Sequence, residues 1–429
     1  MKRHPIFLRE VFELRSVLLV GFACLLGASA CAEQPKAAGT RTSQDAARQQ
    51  REVEVPRTVV TPTDTSSIPE LLQKAAALAN AQRWKEAAAQ YELAYRLEPE
   101  GAFGSEALWG AADAHDRANE LEPALARYEL FAQREPESPH AHDALVRITR
   151  LAVFLNHFTQ AGTYADRLLK SPEPLSDTER IAVLSARALA LIEGGEAQQA
   201  SYFIEKGRDI VDAHQLDAAG KVPRDLAQLY YALGELRRFK AERIVFQPMP
   251  PNFGAVLEER CQLLLDAQSA YADSMRAYDA HWSAMAGYRT VELYQKLHED
   301  LLAVKAPPSA DTERKQQLFE GAVRTRYAIL LTKARALAQS TLGMAERTGE
   351  KSEWVDRTRE ALKAIDQAVK DEEAALAKLP YTKQDFEAYF AQMDAAAAPP
   401  KSTSPSKPAP SAKPAPNKSP APAPKPINP

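Results

Sequence analysis

Between about residue 68 and residue 392, apolar positions recur every three or four residues, and Ala, Leu, Glu, Arg and Gln dominate the composition. This spacing predicts α-helices throughout, and the absence of alternating Val/Ile/Thr runs argues against strands. Prolines punctuate the pattern at Pro136 and Pro139, Pro172 and Pro174, Pro223, Pro248 to Pro251, Pro307 and Pro308, and Pro380, so each cluster separates helices. Residues 141–156 and 160–170 form one expected pair, which ends at Pro172 and carries Tyr164. Ser176 and Glu179 have capping-box spacing ahead of the apolar face Ile181, Leu184, Ala188 and Leu191. Gly194-Gly195 then supplies a turn, and a second helix runs through Ala200, Phe203 and Ile204 towards His214. Pro223 opens a further helix carrying Leu226, Tyr230, Leu233 and Leu236. Short helices closely spaced in this way bury their apolar faces by stacking on one another.

Two successive units share a finer pattern. In the first, Ala75 lies on one helix, Arg83-Trp84 at a turn, and Ala87, Tyr91, Ala94 and Pro99 follow at spacings of four, three and five. In the second, Leu108 and Ala112 precede Ala124, Tyr128, Phe131 and Pro136 with the same spacings. Small residues let paired helices approach closely, the aromatic fills the groove to the next unit, and the proline ends the second helix. These positions resemble tetratricopeptide repeats, with Ala75 and Ala112 at the small site of the first helix and Ala87 and Ala124 at that of the second. The interval from Ala87 to Ala124 is 37 residues, and His115 stands where the family carries an apolar or aromatic side chain. The resemblance implies an all-α, tetratricopeptide-like helical-hairpin solenoid over 68–243 that presents a groove to peptide segments of protein partners.

The second half has a different rhythm. From Phe253 to Val304 there is no proline, and Cys261, Leu264, Tyr271, Met275, Tyr278, Trp282 and Met285 follow a heptad-like spacing. Its expected partner is intramolecular, over 311–346 or 352–378. The phase changes after Gly287, which predicts a kink or break between Ala280 and Gly287. Longer antiparallel hairpins over 252–392 are therefore expected, with a dimer as the alternative.

The amino end changes the picture of where this array works. Lys2, Arg3, Arg9 and Arg15 precede the apolar run Val17 to Gly27, and Ala28-Ser29-Ala30 lead into Cys31. The run is short for a membrane span and has the layout of a secretory signal. The stretch resembles the lipobox of bacterial lipoproteins, which implies a signal peptide over 1–30 and a lipid-modified Cys31 as the membrane anchor. Ordinary signal cleavage in the Ala-x-Ala region is the alternative. Two or three acyl chains at about 0.8 kcal/mol per buried methylene would hold the chain firmly. Ala32, where sorted lipoproteins retained at the inner membrane carry Asp, points by resemblance to the periplasmic face of the outer membrane.

Residues 31–67 are rich in Thr, Ala, Gln, Ser and Pro, the composition of a flexible linker. The Ala/Pro/Lys-rich tail over 393–429 holds twelve prolines and five lysines from Pro399 onward, with no acidic or aromatic residue there. It is expected to stay extended, either as a spacer or in contact with an anionic surface such as cell-wall polymer. A net charge of -3 disfavours nucleic acid as a partner.

Of three cysteines, Cys24 leaves with the signal and Cys31 carries lipid, so Cys261 remains alone, expected as a buried thiol. The eight histidines are scattered, and His140 and His142 fit a helix start better than a metal set. No phosphate loop, HExxH sequence, nucleophile elbow or CxxC pair occurs, so no catalytic, cofactor or metal residue is assigned. The expected function is a non-enzymatic scaffold that holds envelope proteins. The architecture resembles outer-membrane-associated repeat lipoproteins of envelope machines for outer-membrane protein insertion, polymer export or gliding motility. An adaptor of peptidoglycan synthesis or hydrolysis is the alternative.

Overall fold

The computed structural model describes residues 67–218 and 223–397. Cys31, its linker and the tail from residue 398 onward lie outside the described residues. Fourteen helices make up the elements within them. The first eight form four hairpins: α1 (Ile68–Asn80) with α2 (Trp84–Leu97), α3 (Gly104–Arg117) with α4 (Leu121–Arg134), α5 (Ala141–Phe154) with α6 (Phe158–Lys170), and α7 (Asp177–Glu193) with α8 (Ala197–His214). Longer helices follow: α9 (Arg224–Glu242), α10 (Phe253–Met275), α11 (Ala280–Leu302), α12 (Glu313–Thr348), α13 (Glu353–Ala377) and α14 (Lys383–Ala397). The protein is all-α, with short hairpins first and longer ones after.

One turn is reused four times. Gln82, Asn119, Asn156 and Gly195 all have positive φ, at 57°, 59°, 63° and 82°. Each stands two residues before the second helix of its hairpin, and successive copies are 37, 37 and 39 residues apart. The next residue's N–H reaches back to close the preceding helix: Arg83 to Leu78, Glu120 to His115, His157 to Ala152 and Glu196 to Leu191. These six-residue closures satisfy carbonyls that a helix end leaves without partners. A left-handed backbone costs a side-chain-bearing residue about 1–2 kcal/mol. Asn at two of the sites and Gly at a third lower that cost.

Five residues after each turn residue stands a fully buried alanine: Ala87, Ala124, Ala161 and Ala200. The matching site on the first helices holds Ala75, Ala112, Thr149 and Ala188, all buried. Thr149 remains compatible because its hydroxyl donates to the Leu145 carbonyl 2.8 Å away, within its own helix. Ser176 caps α7 as the sequence predicts: its N–H donates to the Glu179 carboxylate at 2.9 Å while its hydroxyl accepts from the Glu179 N–H at 3.4 Å.

The heptad-like stripe divides at residues 276–279, slightly before the expected Ala280–Gly287 window. Tyr278, one of its members, sits in this break with φ 54° and is 74% exposed. Its two halves find different partners. α10 packs mainly on α9, whereas α11 packs mainly on α12. The expected partner stretches therefore cover only the second half. The glycine at 234 shows how α9 and α10 close up: a methyl group there would overlap the Tyr271 ring.

Alternate helices also touch, α5 with α7, α7 with α9, α9 with α11 and α11 with α13, so they form one continuous layer. Helices sandwiched in this way are apolar on more than one side, as α7 is from Ile181 to Ile192. A single apolar cluster accordingly runs from Val146 to Ile365 across the segment between α9 and α10. The amino-terminal hairpins add a second cluster around Leu71, Leu108, Tyr128 and Phe131.

α14, which continues past residue 392 to Ala397, is held chiefly by Phe386 on Gly321 of α12. A methyl group at 321 would overlap the Phe386 ring. Gly321→Ala is expected to cost about 1–3 kcal/mol of α14 docking through overpacking. Amide exchange should quicken over residues 383–393 and stay unchanged in α1 to α9.

Candidate functional site

The repeat-packing residues named from sequence occupy two environments. Ala75, Ala87, Ala94, Ala112, Ala124, Tyr128 and Phe131 are buried, and Tyr91 is half-buried with its ring against Gly110 of α3. Pro99 and Pro136 are exposed, two residues beyond the ends of α2 and α4. The third unit departs from the aromatic pattern: Ala165 stands 37 residues after Tyr128, and neighbouring Tyr164 donates its hydroxyl to Glu129 at 2.8 Å. All these side chains face inward or end helices, so partner contacts fall to other surfaces.

His115 stands in a polar cluster. Its Nδ1 lies 2.8 Å from Glu120, its Nε2 lies 3.4 Å from Glu92, and Arg127 also reaches Glu92. Surrounding carboxylates explain why a histidine replaces an apolar side chain there. His140 stacks on Trp109 at 4.5 Å, and His142 pairs with Glu173 at 2.8 Å, so the two serve different neighbours. Among the described residues, no group of three or more His, Cys, Asp or Glu is placed to hold a metal ion.

A concave surface lies between α9, α11 and α13, with a volume of about 790 Å³. Tyr288, Glu292, Gln295 and Glu299 recur every three or four residues on α11 and therefore share its open face. Glu353, Asp356, Arg357 and Glu360 do the same on α13, and α9 adds Arg238 and Glu242. Six carboxylates thus line the cleft with three cations, Arg238, Lys296 and Arg357. Arg238 donates to Glu242 at 2.9 Å, Lys296 pairs with Asp300 at 3.0 Å, and Arg357 reaches Glu353 at 3.1 Å. Glu292, Asp356 and Glu360 also pair with Arg289, Arg359 and Lys363 from just outside the lining, so acid exceeds base within the cleft wall itself, which suits it to lysine- or arginine-bearing segments.

A buried network forms the cleft's floor. The Glu235 carboxylate is 3% exposed, accepts from Tyr271 at 2.6 Å and Arg238 at 2.8 Å, and forms an ion pair with Arg289 at 3.2 Å. Arg289 also donates to the Tyr231 oxygen at 3.2 Å and to Glu292 at 2.6 Å. Burial raises the pKa of such a carboxyl, yet the Arg289 and Arg238 guanidiniums outweigh burial and hold Glu235 below its ordinary value. Burial pushes the Tyr288 hydroxyl, which donates to Glu292 at 3.0 Å, up to about 12. Trp354 walls the same region at 1% exposure, 5.5 Å from the Tyr288 ring and 5.4 Å from the Arg289 guanidinium. Sequence reading missed this site because Glu235, Tyr271 and Arg289 are far apart in the chain. Glu235, a charged residue among the buried positions of α9, is a signal that could have found it.

No protein-family model matches the chain, and no curated protein matches it significantly. Among solved structures, the chain is similar to a tetratricopeptide repeat protein from Parabacteroides merdae. Identity is 13%, coverage is 70% of this chain and 98% of that one, and the TM-score is 0.36. Overlap so loose carries no inference about activity or partners, and the description of the hairpins rests on the turns and buried positions above.

His281 ties the hairpins to this region. Its Nε2 lies 3.1 Å from the Phe154 carbonyl, its ring stacks on Phe154 at 3.5 Å, and its Nδ1 lies 3.5 Å from Glu350. Asp279 and Arg224, themselves paired at 2.9 Å, stand nearby. Burial lowers the imidazole's proton affinity despite Glu350, and burial also lowers that of His298. The unfolded chain therefore takes up protons more readily, and folding stability is lost as pH falls below the ordinary histidine value of 6.5. The melting temperature is expected to drop between pH 7.5 and pH 5.5, and to drop less in His281→Gln. An equal drop in both chains would exclude His281 as a contributor.

Proposed function

We propose that the chain is a lipid-anchored scaffold on the periplasmic face of the outer membrane, which binds protein partners and supports assembly of an envelope machine. The observation that carries partner binding is the acid-rich cleft between α9, α11 and α13, open to a polypeptide with basic side chains. The context of Cys31 supports the anchor, and residues 31–67 would let the array stand away from the bilayer. No helix among the described residues is long and apolar enough to cross a membrane, so attachment through those residues has no spanning route by helix. The machines in view are those for outer-membrane protein insertion, polymer export and gliding motility. The five lysines of the Pro-rich tail favour a second reading, an adaptor of peptidoglycan synthesis or hydrolysis that touches anionic wall polymer.

Photocrosslinking in cells from positions 356 and 360 tests the first reading. An outer-membrane or trans-envelope protein should be captured, and capture should fall at least tenfold when Glu242, Glu299 and Glu353 are replaced by lysine in the crosslinking chain. Capture of wall synthases or hydrolases instead selects the adaptor. Mass spectrometry of the mature amino terminus tests the anchor, since an unmodified cleaved end would remove it.

A further inference from the structure

A second recess, of about 530 Å³, opens between α10, α11, α12 and α14. Its volume falls in the range of about 300–1,000 Å³ common for sites that take small organic ligands. Leu257 and Leu264 of α10, Leu297 and Leu301 of α11 and Phe386 of α14 line it, and none is more than 5% exposed. The apolar wall is therefore recessed inside a slot. Only Ile329 among the lining residues is a large apolar side chain standing out into solvent, at 52% exposure. A docking helix needs a broad apolar rim, whereas a recessed slot fits a thin hydrocarbon chain.

Of the cations that line the slot, Lys383 pairs with Glu387 at 3.7 Å, and Arg326 lies over the Phe390 ring at 4.0 Å and has partners of its own. Lys333 is half-buried, with its ammonium 5.8 Å from the Tyr294 ring centre, and no carboxylate among the described residues pairs with it. Burial lowers its proton affinity, as expected for a cation held against apolar walls without a counter-ion. Cys261 beside it does not supply that charge, because burial pushes its thiol up to about 11 and keeps it neutral. The Tyr294 hydroxyl is already committed to Gln268 at 2.5 Å. The slot thus joins a greasy channel to a cation that lacks an anion.

We propose that this recess binds one long-chain fatty carboxylate, with its hydrocarbon chain along the leucine and phenylalanine walls and its carboxylate on the Lys333 ammonium. The channel removes methylenes from water, which favours long chains over short ones. The ammonium selects the charged head over a neutral one. This site is separate from the acid-rich cleft, whose charge would repel the same ligand.

The test uses the full chain with Cys31→Ser, so that no acyl group of its own competes, and cis-parinaric acid as the fluorescent probe. Saturable one-to-one binding is expected, displaced by palmitate and at least tenfold less well by palmitic acid methyl ester. Lys333→Met should weaken the probe at least tenfold with an unchanged melting temperature, and Lys333→Arg should restore it. Absence of saturable binding, or equal binding by Lys333→Met, overturns the proposal. Displacement of the probe by an acidic amphipathic peptide but not by palmitate also overturns it. Should Lys333→Met fail to fold, alkylation of Cys261 in the Cys31→Ser chain decides: palmitate must slow it, and an unchanged rate rejects the site.

Discussion

Glu235→Ala is expected to destabilise the α9–α11 region by about 3–5 kcal/mol, because it strands two partly buried guanidiniums without their shared carboxylate. Arg238 and Arg289 both reach Glu235, and Tyr271 donates to it from a third helix, so one truncation removes two hydrogen bonds and an ion pair. The effect belongs to the network and not to any single pair, and Tyr271→Phe combined with Glu235→Ala should cost less than the sum of the two. Urea unfolding followed by tryptophan fluorescence reads the loss, since Trp282 packs 5.6 Å from Tyr231 beside the network. A change below 1 kcal/mol would show that water reaches these arginines in the native state. Acid should mimic the substitution. The Glu235 pKa is held below its ordinary value, so its stabilising contribution is present above the unfolded value near 4.5 and is lost as pH falls through the lower folded value. That loss is distinct from the one ascribed to His281, which begins at higher pH.

Trp354→Ala should cost a similar amount, about 3–5 kcal/mol, for removal of a fully buried aromatic side chain. Trp354 sits in the first turn of α13, is 1% exposed, and contacts Tyr288, Arg289 and Arg357. Losing it detaches the amino end of α13 from α11 and so widens the acid-rich cleft. Amide exchange should quicken first over residues 353–365, and crosslinking from position 356 should fall with it. Unchanged exchange there, with loss of stability elsewhere, would place the anchor of α13 on other residues such as Ile365.

Much of the helical order was legible in the sequence because prolines and apolar periodicity act within single helices. The two units marked by Ala87 and Ala124 were recognisable, while the third was blurred. Its aromatic site holds Ala165, and the clearer signal lay in the turn residues Asn119 and Asn156, which share a left-handed backbone. The stripe from Cys261 to Met285 misled at Tyr278. Side-chain spacing alone does not show that four residues leave the helix there, and Asp279, whose carboxylate accepts from the Trp282 N–H at 3.1 Å, was the local sign of a new helix start. The cleft and its floor were illegible for another reason. Their charges are scattered through α9, α11 and α13, and ordinary solvated helix faces carry charge at the same spacing.

The unbroken layer from α5 to α13 governs how this molecule tolerates being shortened. Severing it between α9 and α10 would leave Tyr231 and Leu236 on one fragment, Leu264 and Tyr271 on the other, and a sticky face on both. Fragments divided near residue 247 should therefore precipitate unless made together. Trimming from the amino end meets a different boundary, since Leu71, Leu108 and Tyr128 belong to their own cluster. The array is a strip that can be peeled from one end but not folded in two.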